Sequence, residues 1–292
     1  MRRAAAAAGL AFAIALAAGA VAAAQDAPTG RPLATISTAG PFGLAGTLEQ
    51  GGLAIGTAPR GTASLSLDGK PVQVAADGRF VIAFDRDAPA GAVLVAVETD
   101  GPPVEQRLAV APRAWRIERL PTLPRHAQPE PEFAALRAPE AAAIASARAI
   151  VTDAAGWRQR FRWPAAGRQS GWFGSQRIYA GEPGSYHTGA DVAVPDGTPV
   201  AAPADGVVIL AADHPFTLEG NLLMIDHGMG LSSALLHLSR IDVAVGDHVR
   251  QGQVVGLSGH SGRATGPHLH WGLRWHDARL DPLLVTGSPP PH

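Results

Sequence analysis

Five residues of this 292-residue chain have the types and spacings that could do chemistry: His187 and Asp191 in "HTGAD", His237 in "LLHLS", and His268 and His270 in "GPHLHWGL". Alternate side chains of a strand leave the same face, so His268 and His270 would point at one spot. That spot is either a metal ion or a shared polar surface. His187 and Asp191 would share one face of a helix, but Gly189 and the surrounding turn signals argue against a helix there. An extended segment also returns residues four apart to a common side, so a ligand pair stays feasible. Each piece alone is weak. A His-x-His pair is often coincidental, an Asp beside Gly can bind backbone amides in a turn, and a lone His in an apolar run is more often a satisfied core side chain than a catalyst. Their weight comes from occurring in order within one stretch of Gly-punctuated strands.

The elements that must position them are strands. From 161 to 284 the runs "TPVAAPADGVVILAA", "NLLMIDHG", "LSSALLHLS", "HVRQGQVVGLSG" and "HLHWGLRW" are short, apolar or alternating, and closed by Gly, Asp or Asn, with no helical period. Leu269 and Trp271 would then face a core opposite His268 and His270. Residues 41–112 form a second strand-rich stretch. Its Asp68-Gly69, Asp77-Gly78 and Asp100-Gly101 pairs are hairpin signals, because Gly tolerates positive φ. Several short strands with regular turns predict a small β-sandwich-like module. Between the two lies a Pro-rich linker, 113–137, and an Ala-rich helix. Pro139 is placed at the helix's first position, Ile144, Ala147, Ile150 and Val151 on one face, and Gly156 at its end.

The first 24 residues read as a secretory signal, with Arg2 and Arg3 ahead of an Ala-rich apolar run and Ala22-Ala23-Ala24 as a cleavage site. After its removal no apolar run is long enough to span a bilayer. The expected location is across the inner membrane, in the periplasm. Cysteine is absent, which excludes disulfides, thiol nucleophiles and thiolate ligands. Lys plus Arg total 24 and Asp plus Glu 25, so no overall basic field exists to recruit nucleic acid.

The segments "FGSQR", "HTGADVAVPDGTPVAAPADGVV", "IDHGMGLSSALLHLSRI" and "VGDHVRQGQVVGLSGHSGRATGPHLHWGL" closely resemble the LytM/lysostaphin-type zinc endopeptidases, which cut peptide crosslinks of bacterial cell walls. The resemblance covers nearly all of 161–284. It implies a mainly β fold, with a Gly-rich antiparallel β catalytic domain preceded by a β-sandwich-like module and a short linker helix. It also implies zinc (Zn2+) held by His187, Asp191 and His270, with His237 and His268 as catalytic, non-ligand histidines. Two neutral imidazoles and one carboxylate leave a fourth tetrahedral position for water, as catalytic zinc requires. The expected organisation is a signal peptide at 1–24, a flexible lead-in at 25–40, the β-module at 41–112, linker plus helix at 113–160, a LytM-type peptidase domain at 161–284 and a tail at 285–292. Peptidoglycan stem peptides are the expected substrate, and a divisome or envelope partner is compatible with the chain. The alternative is a non-catalytic wall-binding scaffold or an activator of a cell-wall amidase. The Pro-rich segment and helix could also cover the cleft.

Several positions depart from the family pattern. Leu235 stands where Tyr is common, which would remove a hydroxyl near the site. Ser261 stands for Thr, His260 is an extra imidazole, and Ala180 replaces an Asn before Gly. His227 reads as a turn residue, and His126, His214, His248, His276 and His292 as surface. Asp205 and Asp226 read as turn caps. Trp157, Phe161 and Trp163 read as core, with a substrate-wall role for Trp172 or Tyr179 as the minority reading. Gly259, Gly262 and Gly266 read as turn geometry.

Overall fold

The hairpin signals become strands. In the computed structural model, which describes residues 36–37, 40–122 and 131–290, Asp68 and Gly69 both take positive φ in the turn joining Leu67 to Lys70. The strands of the first half build two four-stranded sheets. One contains Leu53–Thr57 and Arg79–Ala83, the other Thr62–Leu67, Gly91–Glu98 and Val104–Ala109. Phe42, Leu44, Phe80, Ile82, Leu94 and Leu108 are buried with them. The signal-peptide segment, most of the lead-in, His126 and His292 lie outside the described residues.

The second half is organised on an eight-stranded antiparallel sheet. Its central strand, Leu269–Trp275, lies between Ala190–Ala193 and Leu231–Leu238. Alternation along that strand sends Leu269, Trp271, Leu273 and Trp275 into the core and His270, Gly272 and Arg274 to the opposite face. Trp163 packs edge-on against Trp271 with ring centres 5.2 Å apart. Trp157 and Phe161 are buried. The fold is mainly β, with the strands antiparallel except where Ile117–Leu120, inside the expected linker, runs parallel to Gln176–Tyr179. A five-residue helix, Pro282–Thr286, closes the described chain on an Asp281 N-cap; the sequence offered no helical period there.

The long helix differs from its expected bounds. It runs Pro131–Arg148, so Pro131 takes the first helical position and Pro139 sits inside. Pro139 lacks the N–H that would bond back one turn, and the helix continues because its flank is packed. Ile144 and Ala147 bury against Ile209, Leu210, Phe216, Leu222 and Met224. Ile150 and Val151 lie beyond its end, 44% and 75% exposed, rather than on its buried face. The chain leaves the helix where the Thr152 N–H and hydroxyl both bond the Asp226 carboxylate. Among the described residues no helix is long and apolar enough to cross a membrane. The described residues fall within one compact unit.

Candidate metal centre

Asp191 and His270 are direct cross-strand partners, because Ala190–Ala193 and Leu269–Trp275 pair in that register. His187 arrives from the loop between Glu182–Tyr186 and Ala190–Ala193. Its N–H donates to the Ser175 carbonyl and its carbonyl accepts from Gly174 N–H. The three side chains meet. Asp191 Oδ1 lies 2.8 Å from His270 Nδ1 and 3.1 Å from His187 Nε2, and the two ring nitrogens are 3.0 Å apart. All three donor atoms fall within 4.8 Å of one another. These three residues would hold a cation through bonds of about 2 Å. The donor chemistry therefore suits a metal ion.

The same contacts couple the ionisation of the three side chains. Burial opposes charge on Asp191, yet hydrogen bonds from His187 and His270 outweigh it and hold the carboxyl far below the usual range. Burial also works against a charged His187, but the Asp191 hydrogen bond and charge raise its pKa. Burial wins at His270 and lowers its pKa.

His268 and His237 stand beside the triangle. His268 Nε2 is 4.0 Å from Asp191 Oδ1, and the His237 and His268 ring centres are 4.7 Å apart. Backbone carbonyls settle which ring nitrogen carries the proton, because a carbonyl only accepts. His187 Nδ1–H donates to Trp172, His237 Nδ1–H to Ser261 and His268 Nδ1–H to Gly266. Each thereby turns Nε2 away from the backbone, and His187 Nε2 faces the Asp191 carboxylate. Burial first, then the neighbouring His268 and His270, pushes His237 down to about 4, so it is neutral at neutral pH.

His237 reaches the site through an unusual backbone. Strict alternation in Leu231–Leu238 would send it to the core with Leu231, Ser233 and Leu235. Its φ of 63° breaks the alternation, and its N–H is held by the Glu219 carbonyl. Glu219 is in turn gripped by Arg137 of the long helix, at 2.6 and 2.7 Å.

Two glycines clear the space. A Cβ on Gly171 would lie 2.0 Å from Asp191 Oδ2, and one on Gly189 would lie 2.7 Å from His270 Nε2. Sequence reasoning missed both; a Gly inside an otherwise extended run was the available signal. Other expectations need correction. Leu235 is fully buried on the core side, so its missing hydroxyl removes nothing from the site. His227 is a fully buried bridge between the Asp205 carbonyl and the Ser233 hydroxyl. Asp226 is buried, and its carboxylate accepts from the Thr152 N–H and hydroxyl as well as from the backbone of the turn at Gly228. His260 pairs with Asp196 at the surface, away from the triangle. Ser261 keeps a structural hydroxyl, accepting from Asn221 N–H and donating to Leu238. The Trp172 indole is half-buried under the Arg116 guanidinium.

The model of Peptidase family M23 matches residues 185–282, the segment that holds all five side chains. The chain is 49% identical over 87 residues to the peptidoglycan DD-endopeptidase ShyA of Vibrio cholerae serotype O1, which is 30% of this chain and 20% of that protein. It is 43% identical over 100 residues to the DD-carboxypeptidase/endopeptidase Mpg of Neisseria meningitidis serogroup B, 34% of this chain and 23% of that protein. The matches thus span only about a fifth of the length of these curated relatives. A crystal structure of a candidate M23 peptidase from Pseudomonas aeruginosa superposes with a TM-score of 0.64 at 30% identity, covering 82% of this chain and 96% of that one.

Proposed function

The chain belongs to peptidase family M23, and from that premise we propose that it is a zinc endopeptidase hydrolysing peptide crosslinks of bacterial peptidoglycan. His187, Asp191 and His270 are the proposed zinc ligands, and His237 and His268 the catalytic histidines. The observation that carries this reading is the convergence of two imidazole nitrogens and one carboxylate oxygen from three chain segments, with two more imidazoles beside them.

Zinc, when bound, supplies Lewis-acid polarisation of the scissile carbonyl and makes a water acidic enough to attack near neutral pH. The chain's own residues do the rest. Asp191 brings one negative charge to the divalent ion, and the Trp172 carbonyl locks the His187 tautomer so that Nε2 faces the centre. His237 and His268, each with Nε2 free, accept the proton lost by the attacking water and return it to the departing amine. Once protonated, the same nitrogens donate hydrogen bonds to the oxyanion of the tetrahedral species. The long helix holds His237 in register through Arg137 and Glu219.

Action on peptidoglycan places the enzyme outside the cytoplasm. Residues 1–24 are the proposed export signal and the periplasm the proposed compartment, as peptidoglycan-acting relatives support. The test is digestion of purified sacculi, with released muropeptides identified by mass and metal content measured on the same sample. The expected result is about one zinc per chain and cleaved crosslinks, both lost in His270→Ala. Full cleavage by a metal-free preparation overturns the reading. An His270→Ala protein that keeps its biological activity favours the scaffold or amidase-activator alternative.

A further inference from the structure

Beyond the triangle, a cavity of about 100 Å³ opens along the same sheet face, with His270 in its wall. Strand geometry explains why it exists. His270, Gly272 and Arg274 face it in turn, and their cross-strand partners are Leu236, Ala234 and Ser232. Gly272 and Ala234 are the small pair in the middle, so the floor between the histidine and the arginine is low. Four residues of strand separate His270 from Arg274, about 13 Å. An extended peptide of three to four residues covers that length.

The far part of the cavity is basic. Arg274 contributes from the floor, Arg279 from the short strand Ala278–Leu280 and Arg148 from the last turn of the long helix. Glu219 also lines the cavity, but its carboxylate is already engaged by both Arg137 nitrogens. Arg274 donates to the His276 carbonyl and to the exposed Asp277 carboxylate; Arg279 donates to the Tyr186 hydroxyl. Arg148 has no ion-pair partner among the described residues. Its side chain stays exposed to solvent, yet crowding by neighbouring atoms, and then the like charges of Arg274 and Arg279, pull its pKa down to about 10. Three guanidinium groups around one small space repel one another until an anion enters. The hydroxyls of Thr188 and Ser232 offer further donors at its edge.

We propose that this cavity is a subsite for a free carboxylate of the substrate peptide, held by Arg148, Arg274 and Arg279 three to four residues from the bond cleaved. The inference rests on the peptidase reading and adds to it which peptides are preferred. A carboxylate there aligns the peptide along the floor and directs its reactive carbonyl towards the triangle. The carboxylate is either the peptide's terminal one or one carried on a side chain.

The test is calorimetric titration of the full chain with uncrosslinked stem tetrapeptides in four forms: all carboxylates free, terminal carboxylate amidated, side-chain carboxylates amidated, and all amidated. The wild-type protein is expected to bind the free form roughly tenfold more tightly than the fully amidated form. The singly amidated forms identify which carboxylate is held. In Arg148→Gln and Arg274→Gln that ratio falls towards one, and in Arg148→Lys most of it returns. A general loss of structure would weaken all four peptides together and leave the ratio unchanged. A wild-type ratio near one, a ratio unaltered in both Gln variants, or no binding at millimolar peptide overturns the subsite. Carboxylate-selective binding without sacculus cleavage would sink the peptidase reading and leave the subsite standing. Cleavage without selectivity does the reverse.

Discussion

At the scale of single residues, the site is governed by where protons and side-chain volume are allowed. Gly171 shows the volume limit. Gly171→Ala brings a methyl group onto the Asp191 carboxylate, so zinc affinity is expected to fall about tenfold to a hundredfold. Metal titration with a competing chelator measures this, and an unchanged far-UV spectrum shows that the fold survived. His227 shows the proton limit. Burial depresses its pKa from 6.5 to about 4, so the unfolded chain binds the proton more readily between those values. Its contribution is therefore full above about pH 6.5 and is lost as pH falls towards 4, amounting to about 3 kcal/mol. Urea unfolding across that range should show the loss, and His227→Gln should reduce it, leaving the part that His237 contributes. The five proposed site residues stood out in the sequence because their types and order are distinctive, and the structure brings them together. His227 was not, since nothing in "DHGMG" says that the ring turns inward to meet Ser233.

At the scale of elements, strand alternation gave most of the placement. It put His268 and His270 on one side and Leu269 and Trp271 on the other, as the structure has them. It could not give the positive φ at His237, because the cause is a carbonyl supplied by Glu219 from another segment. The long helix was legible as a helix but not in its bounds, since the packing of Ile144 and Ala147 and the Thr152–Asp226 contact beyond its end involve segments remote in sequence. That helix also steadies the site. Arg137→Ala is expected to free Glu219 and loosen His237, lowering kcat by about tenfold while zinc content stays at wild-type level. Equal kcat with zinc retained would show that the Arg137–Glu219 pair is only a rim ion pair.

At the scale of the whole molecule, the first half braces the loop that carries His187. Arg86, nearly buried, donates to the Gly174 carbonyl and to Gln176 Oε1, and lies over the Tyr186 ring at 4.7 Å. Gly174 N–H in turn bonds the His187 carbonyl. Arg86→Ala is expected to cost about 2–4 kcal/mol in denaturant unfolding and to weaken zinc retention. A stability loss with unaltered metal affinity would uncouple the brace from the centre. This dependence was illegible in the sequence, because Arg86 lies 101 positions before His187 in an ordinary "DRD" turn.

Asp191 and His270 are strand neighbours drawn from positions 79 apart, and the strand carrying His270 must slot between two others before they meet. A growing or still unfolded polypeptide holds the same amino acids yet has no donor triangle. Under the proposed function, hydrolysis would thus begin only once these strands have paired, a delay written into topology.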